Sequence, residues 1–281
     1  MKHRQLQQII TGKATTDGAG VELVRVIGQP ALMDLDPFLL LDNFRSDNPS
    51  DYIAGFPPHP HRGFETVTYL LNGRMRHRDN AGNEGVIEPG GIQWMTAGRG
   101  IVHSEMPEQE EGLLSGFQLW INLPAEHKMT APAYQEHGGD AIPVEQRDGA
   151  EVRVVTGTTS NGTMGPVTQP LTDPLYLDVS LQAGATFDET LAAGHTAFVH
   201  VAEGSLELPG KDGSQETVRA DELAVLDHGE QVTVRGGESG GRFLLIAGKP
   251  LNEPVARHGP FVMNTQDELR QAFADYQAGK F

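Results

Sequence analysis

The chain has no cysteine among its 281 residues. Disulfides, thiol nucleophiles and thiolate metal sites are therefore excluded, and any bound metal must be held by histidine, carboxylate and water. Long apolar runs are also missing, so no segment reads as a bilayer span. The start, Met1 to Lys13, has basic residues but no apolar core and does not read as a secretory signal. A soluble, cytoplasmic protein is expected. Positive charge is scarce: 21 Lys and Arg against 38 Asp and Glu, a formal charge of −17. Such a surface repels phosphate backbones and anionic lipids, so neither direct nucleic-acid binding nor membrane binding is expected. Solubility is the plain reading of that charge. No Gly-x-Ser-x-Gly elbow, no phosphate loop and no Gly-x-Gly-x-x-Gly between strand and helix is present, and Gly98-Arg99-Gly100 is too short to count.

What is abundant is turn chemistry. With 34 Gly, 18 Pro and few helical patterns, the chain reads as all-β. Strands are expected at Val21–Ile27, Pro37–Phe44, Glu65–Leu71, Met75–Asp79, Ile92–Thr96, Ile101–Glu105 and Phe117–Leu123. Asn72-Gly73 supplies a hairpin turn, because both residues tolerate positive φ. Short strands at this spacing indicate a small barrel or double-sheet roll. Residues 45–58 read as a loop, and residues 124–150, bearing Pro, His and Gly, as the passage between two domains.

The second half repeats the first. Gly73 with its preceding strand corresponds to Gly204, the run Pro89–Met95 to Ala220–Leu226, and Gly98 to Gly229, all at a shift of 131 positions, as from 73 to 204. Two barrels follow, 1–140 and 141–281, the second ending in a helix over 265–278. Thr265 and Glu268 make a capping-box pattern there, and Leu269, Ala272, Phe273 and Tyr276 form one apolar stripe.

Chemistry concentrates in the first half. His59-Pro60-His61 and His103-Ser104-Glu105 each place two ligand-type side chains on one face of a strand, since residues i and i+2 point the same way. Facing a common interior, three imidazoles and a carboxylate suit a divalent transition metal such as iron and leave room for exogenous ligands. His-x-His alone also fits a polar loop rim, and His103 with Glu105 alone also fits a surface strand. The pairing of the two tripeptides and the apolar Ile101-Val102 favour a site. Arg62, Glu65 and Asp79 either orient the imidazoles or form ion pairs at the barrel edge. His77 reads as a satisfied strand histidine. His127, His137, His195, His200, His228 and His258 lack ligand spacing. The 131-position shift puts Thr190, Ala192, Val234 and Gly236 opposite the four candidates, so only the first barrel is expected to bind metal.

The blocks His59–Val67 and Gln93–Pro107 resemble the two signature segments of the pirin family, and Asp36–Asp42 and Gly259–Thr265 resemble further pirin segments. The resemblance implies a bicupin, two cupin barrels in tandem, with one metal in the first. It carries the family's ligands onto His59, His61, His103 and Glu105 without substitution, and implies Fe(II), other divalent transition metals being possible. It implies a monomer and an activity like quercetin 2,3-dioxygenase, with a small aromatic substrate, dioxygen and loss of carbon monoxide. Glu105 would be the catalytic base that takes the substrate hydroxyl proton. Phe56 and Met106 would hold the aromatic rings near the mouth. The other reading is a metal-binding, redox-sensitive regulatory protein whose partner is a metabolic enzyme or transcription regulator. The acidic surface departs from what a nuclear or DNA-linked role would need.

Overall fold

The structure, a computed structural model, describes residues 1–281. It is mostly antiparallel strand, with a single α-helix, and no helix is long and apolar enough to cross a membrane. Two compact units emerge. One comprises residues 14–28, 38–140 and 251–281; the other comprises 1–13, 29–37 and 141–250.

The first unit pairs a seven-stranded sheet with a four-stranded one. At the middle of the larger sheet lie Ile92–Thr96, Phe64–Asn72, Leu114–Asn122 and Phe38–Ser46 in that order. The smaller sheet runs Phe56–His61, Ile101–Pro107, Met75–Asp79, Glu84–Ile87. Val21, Leu23, Phe44, Leu70 and Leu114 of the larger sheet share one hydrocarbon cluster with Met75 and Ile87 of the smaller. That shared core is what closes two half-buried sheets into a barrel. Phe56–His61 contains Pro57, Pro58 and Pro60, which cannot donate to a ladder, and it sits at a sheet edge.

The second unit is one nine-stranded sheet whose long members, Thr196–Pro209 and Gln231–Gly248, each pair with several neighbours in turn. Its interior is hydrocarbon, including Phe187, Val199, Leu206, Val234, Phe243 and Leu245.

The division by chain order, 1–140 and 141–281, differs from the pairing. The polar lead-in holds a strand, Leu6–Thr11, which pairs with Glu222–Leu226 and belongs to the second unit. Only Leu6 and Ile10 of that strand are buried, too sparse a pattern to read from sequence. Residues 251–281 instead belong with the first unit. Phe261–Met263 bridges to Arg62, and the helix Gln266–Gln277 lays Leu269 and Ala272 on Phe261 and Met263. The capping box at Thr265 and Glu268 is formed, worth about 1 kcal/mol at such a terminus. Tyr276, expected in the apolar stripe, is 39% exposed. The 124–150 passage also contains strands: Ala133–His137 pairs with Ile92–Thr96, and Val144–Arg147 with Ala150–Thr156.

Candidate metal centre

Three imidazoles meet in the first unit. His59 and His61 come from the Phe56–His61 strand, and His103 lies directly opposite His59 on Ile101–Pro107. Their ring centroids are 4.5 to 5.0 Å apart, and one ring nitrogen from each lies within 4.8 Å of the others. Such a group of nitrogens fits a single divalent ion. The donors also fit chemically. His59 Nδ1 is 2.8 Å from Pro57 O, a carbonyl that can only accept, so Nδ1 carries the proton and Nε2 keeps its lone pair. Nδ1 of His61 and both ring nitrogens of His103 are buried without a hydrogen-bond partner. Buried polar atoms without partners are costly and call for an explanation, and a shared cation supplies one. Burial, together with the neighbouring imidazoles, drives His61 well below its ordinary pKa. Burial likewise brings His103 down to about 4, with Glu105 pulling the other way. Both rings are thus neutral at physiological pH, the form that ligates.

Glu105 follows His103 on the same face of its strand and is 2% exposed. Its carboxylate is oriented from the opposite sheet: Thr68 Oγ1 donates to Oε1 and Gln118 Nε2 to Oε2, each at 2.8 Å. Each oxygen still has a lone pair to offer. A register shift between His103 and Glu105, relative to Phe56–His61, sets this turn of the chain. The close group is the three imidazoles; Glu105 stands beside them, oriented by its two donors.

The turn after His61 is locked. Gly63 has φ +89°, and a Cβ there would be driven into the carbonyl oxygen of Val262. The ammonium of Lys128, 1% exposed, donates to Gly63 O, Asn122 Oδ1 and Val262 O at 2.7, 2.6 and 3.1 Å. Burial lowers its pKa to about 8.

Beside the imidazoles opens a cavity of about 560 Å³. His59, His61, Phe56, Gln118, Trp120 and Arg257 are on its wall. Phe56 is therefore placed as expected at the mouth. Met106 is not on that wall; its sulfur packs at Gly55, because alternation turns it away from Glu105. Arg62 is buried in an ion pair with Asp275 at 2.9 Å, Asp79 accepts from the turn residues Ala81 and Asn83, and Glu65 accepts from Thr96. His77 is buried opposite Glu105, its ring against Glu136.

Sequence reasoning missed Thr68, Gln118, Trp120 and Arg257. Gln118 had a signal, an amide inside the apolar run Phe117–Leu123. Arg257 had none, since its place depends on how residues 251–281 return to the first unit.

The repeat holds where strands match. Val67 opposite Trp94 and Tyr69 opposite Ile92 correspond, at the 131-position shift, to Phe198 opposite Val225 and His200 opposite Leu223. It slips by three at the histidine strand. Opposite Val234, the match of His103, stands Phe187 rather than Thr190, and Glu189 opposite Val232 takes the place of His61 opposite Ile101. From His61 to Tyr69 is eight positions and from Glu189 to His200 eleven, so the intervening connection is longer in the second unit. Val199 and Leu245 stand where Thr68 and Gln118 do. Phe187, Val199, Val234 and Leu245 offer no ligand atom, and Glu189 is bound to Arg147 at 2.7 Å.

Two cupin barrels in tandem, the first with a three-histidine centre suited to a divalent metal, define the class of protein. Residues 20–121 match the Pirin family and residues 176–281 the Pirin C-terminal cupin domain, and the chain belongs to the pirin family. It is 53% identical to a pirin-like protein of Caulobacter vibrioides over all of both chains. It is 43% identical to pirin of Homo sapiens, over 96% of this chain and 91% of that one. The crystal structure titled quercetin 2,3-dioxygenase from Acinetobacter baumannii superposes with a TM-score of 0.91 at 32% identity, covering 100% of this chain and 99% of that one.

Proposed function

We propose that His59, His61, His103 and Glu105 hold Fe(II), and that the protein is a cytoplasmic, monomeric dioxygenase. Its substrate would be a flavonol such as quercetin or a similar enolisable aromatic, and its co-substrate dioxygen. The observation that carries this is the buried, partnerless nitrogens of His61 and His103 beside an oriented carboxylate, with His59 and His61 on the wall of a cavity that Phe56 and Trp120 also line. The likeness to the Acinetobacter structure supports the same reading.

Ferrous iron bound there would supply a Lewis-acid and redox centre with positions left for substrate oxygen and dioxygen. The chain's own contribution is placement and proton handling. Gln118 and Thr68 fix the carboxylate so that an oxygen of Glu105 can accept the substrate hydroxyl proton at hydrogen-bond distance. Phe56 and Trp120 line the cavity and keep water from the ring system. Gly18, whose Cβ would meet Phe56 Cδ1 at 2.6 Å, lets that ring lie close to the rim.

Elemental analysis of the purified protein, with oxygen-electrode assays across a flavonoid panel, tests this. Stoichiometric iron and flavonol-dependent oxygen uptake are expected, and His61→Ala should remove both together. A fully iron-loaded protein that takes up no oxygen with any flavonoid of the panel would sink the enzyme reading in favour of metal-dependent regulation of a protein partner.

A further inference from the structure

Two of the three imidazoles stand on a strand poorly able to hold itself. Phe56–His61 is a sheet edge, and three of its six residues are proline, so half of its amides cannot donate to the neighbouring strand. The residue directly after His61 is gripped instead. The side chain of Arg62 is 4% exposed, its N–H donates to Pro260 O at 3.4 Å, and its C=O accepts from Val262 N at 3.0 Å. Its guanidinium is tied on three sides. Nε donates to Arg99 O at 2.5 Å, Nη1 donates to Asp275 Oδ2 at 2.9 Å, and the central carbon lies 4.3 Å over the centroid of the Phe281 ring. Asp275 is itself held by Gln271 Nε2 and Lys280 Nζ at 2.9 and 3.0 Å.

Phe281 also reaches the other ligand strand. Its ring lies against Gly100, where a Cβ would come within 2.8 Å of it, and its backbone oxygen accepts from Asn80 Nδ2 at 2.8 Å. Asn80 brackets Val102, the residue before His103: its N–H donates to Val102 O at 2.9 Å, and its side-chain oxygen accepts from Val102 N at 3.2 Å. The helix and the residues after it therefore take hold one position after His61 and one position before His103.

Resting on the metal-centre reading of these imidazoles, we propose that Asp275 and Phe281 are positioning residues for the metal. Acting through Arg62 and Asn80, they set the separation of His61 and His103, and with it the affinity for a divalent ion. Arginine suits the joint. A guanidinium can direct its edge to a carboxylate and a carbonyl while its face rests on a phenyl ring, so one side chain fixes a direction as well as a distance. The pair is shielded from water, Asp275 being 14% exposed, so removing the carboxylate leaves a buried cation without its counter-charge. Any relaxation of Arg62 passes to His61, its neighbour on a strand with few donors of its own. Register is the quantity at stake, because His61 pairs with Ile101 and His59 with His103 across the same two strands.

The test titrates cobalt(II) into the metal-free full chain against a competing chelator and records the visible absorption bands at saturation. Unfolding by denaturant is followed separately. The native protein should bind one cobalt per chain. Asp275→Asn should bind it about tenfold more weakly, the lower end of what outer partners of ligands confer, and should shift the bands, which report the angles between ligands. Arg62→Gln should weaken binding at least as much. The double variant should be no weaker than Arg62→Gln, since Asp275 acts through that guanidinium. Phe281→Leu keeps hydrocarbon against Phe261 and removes no charge, so it gives a second reading, with binding about threefold weaker. A lowered denaturant midpoint with native affinity and native bands in Asp275→Asn and Phe281→Leu would make these contacts structural only and overturn the proposal. Equal losses from Asp275→Asn with and without Arg62→Gln would overturn it too. A native protein that takes up no cobalt would sink the metal-centre reading and this proposal with it. One that binds cobalt as described but is inert toward flavonols would lose the dioxygenase reading and keep this one.

Discussion

Gln118 Nε2 donates to Glu105 Oε2 at 2.8 Å from the opposite sheet, and the same amide's oxygen accepts from Trp120 Nε1 at 3.2 Å. One side chain thus sets both the carboxylate beside the imidazoles and the indole on the cavity wall. Gln118→Leu keeps the volume and removes both contacts. A 10- to 100-fold loss of metal affinity, of the order seen when outer partners of ligands are removed, is expected in chelator competition. Thr68→Val should act in the same direction, because it frees the other oxygen.

The turn that follows His61 admits only glycine. Gly63→Ala would combine a residue at φ +89° with a Cβ aimed at Val262 O. Destabilisation on the order of 3 kcal/mol is expected, read as a lower denaturant midpoint, together with weakened metal binding. An unchanged midpoint would mean that the turn has room which the Val262 carbonyl denies it here.

Acid should destabilise the metal-free protein through its buried imidazoles. His103 titrates near 4 in the fold against 6.5 in the open chain, and His61 is displaced in the same direction. A depressed folded pKa means that the unfolded chain binds the proton first. The contribution of His103 is therefore complete above about pH 6.5 and is lost as pH falls through about 4, a change on the order of 3 kcal/mol. Denaturation followed from pH 7 to 4 should show this slope, and His103→Asn should flatten it. Metal should be released over the same acid range, since ligand and proton compete for one lone pair.

In the second unit the residue matching His61 has become structural. Glu189 is 1% exposed; Arg147, Ser160 N and Thr190 N all donate to it. Glu189→Leu would leave Arg147 without that partner and should cost about 3–5 kcal/mol of stability. The metal content of the folded variant should not change, and a drop in metal per folded chain would contradict that division of roles.

Much of this protein was decided by its sequence alone. The all-β class, the capped terminal helix, the repeat and the histidine tripeptides all follow from local rules: alternation along a strand, turn residues, and an acceptor placed before a helix. Those rules hold within a few residues, so His59 and His61 had to share a face wherever their strand lay. Tertiary structure decided what the tripeptides face and who supports them. It chose His59 opposite His103, brought Thr68 and Gln118 to Glu105 from another sheet, returned Arg257 and the helix to the first unit, and replaced the fixed repeat shift by Phe187 and Glu189. Strand register and long-range return are set by the burial of whole faces against one another. That sum over distant side chains cannot be read from any single stretch of chain.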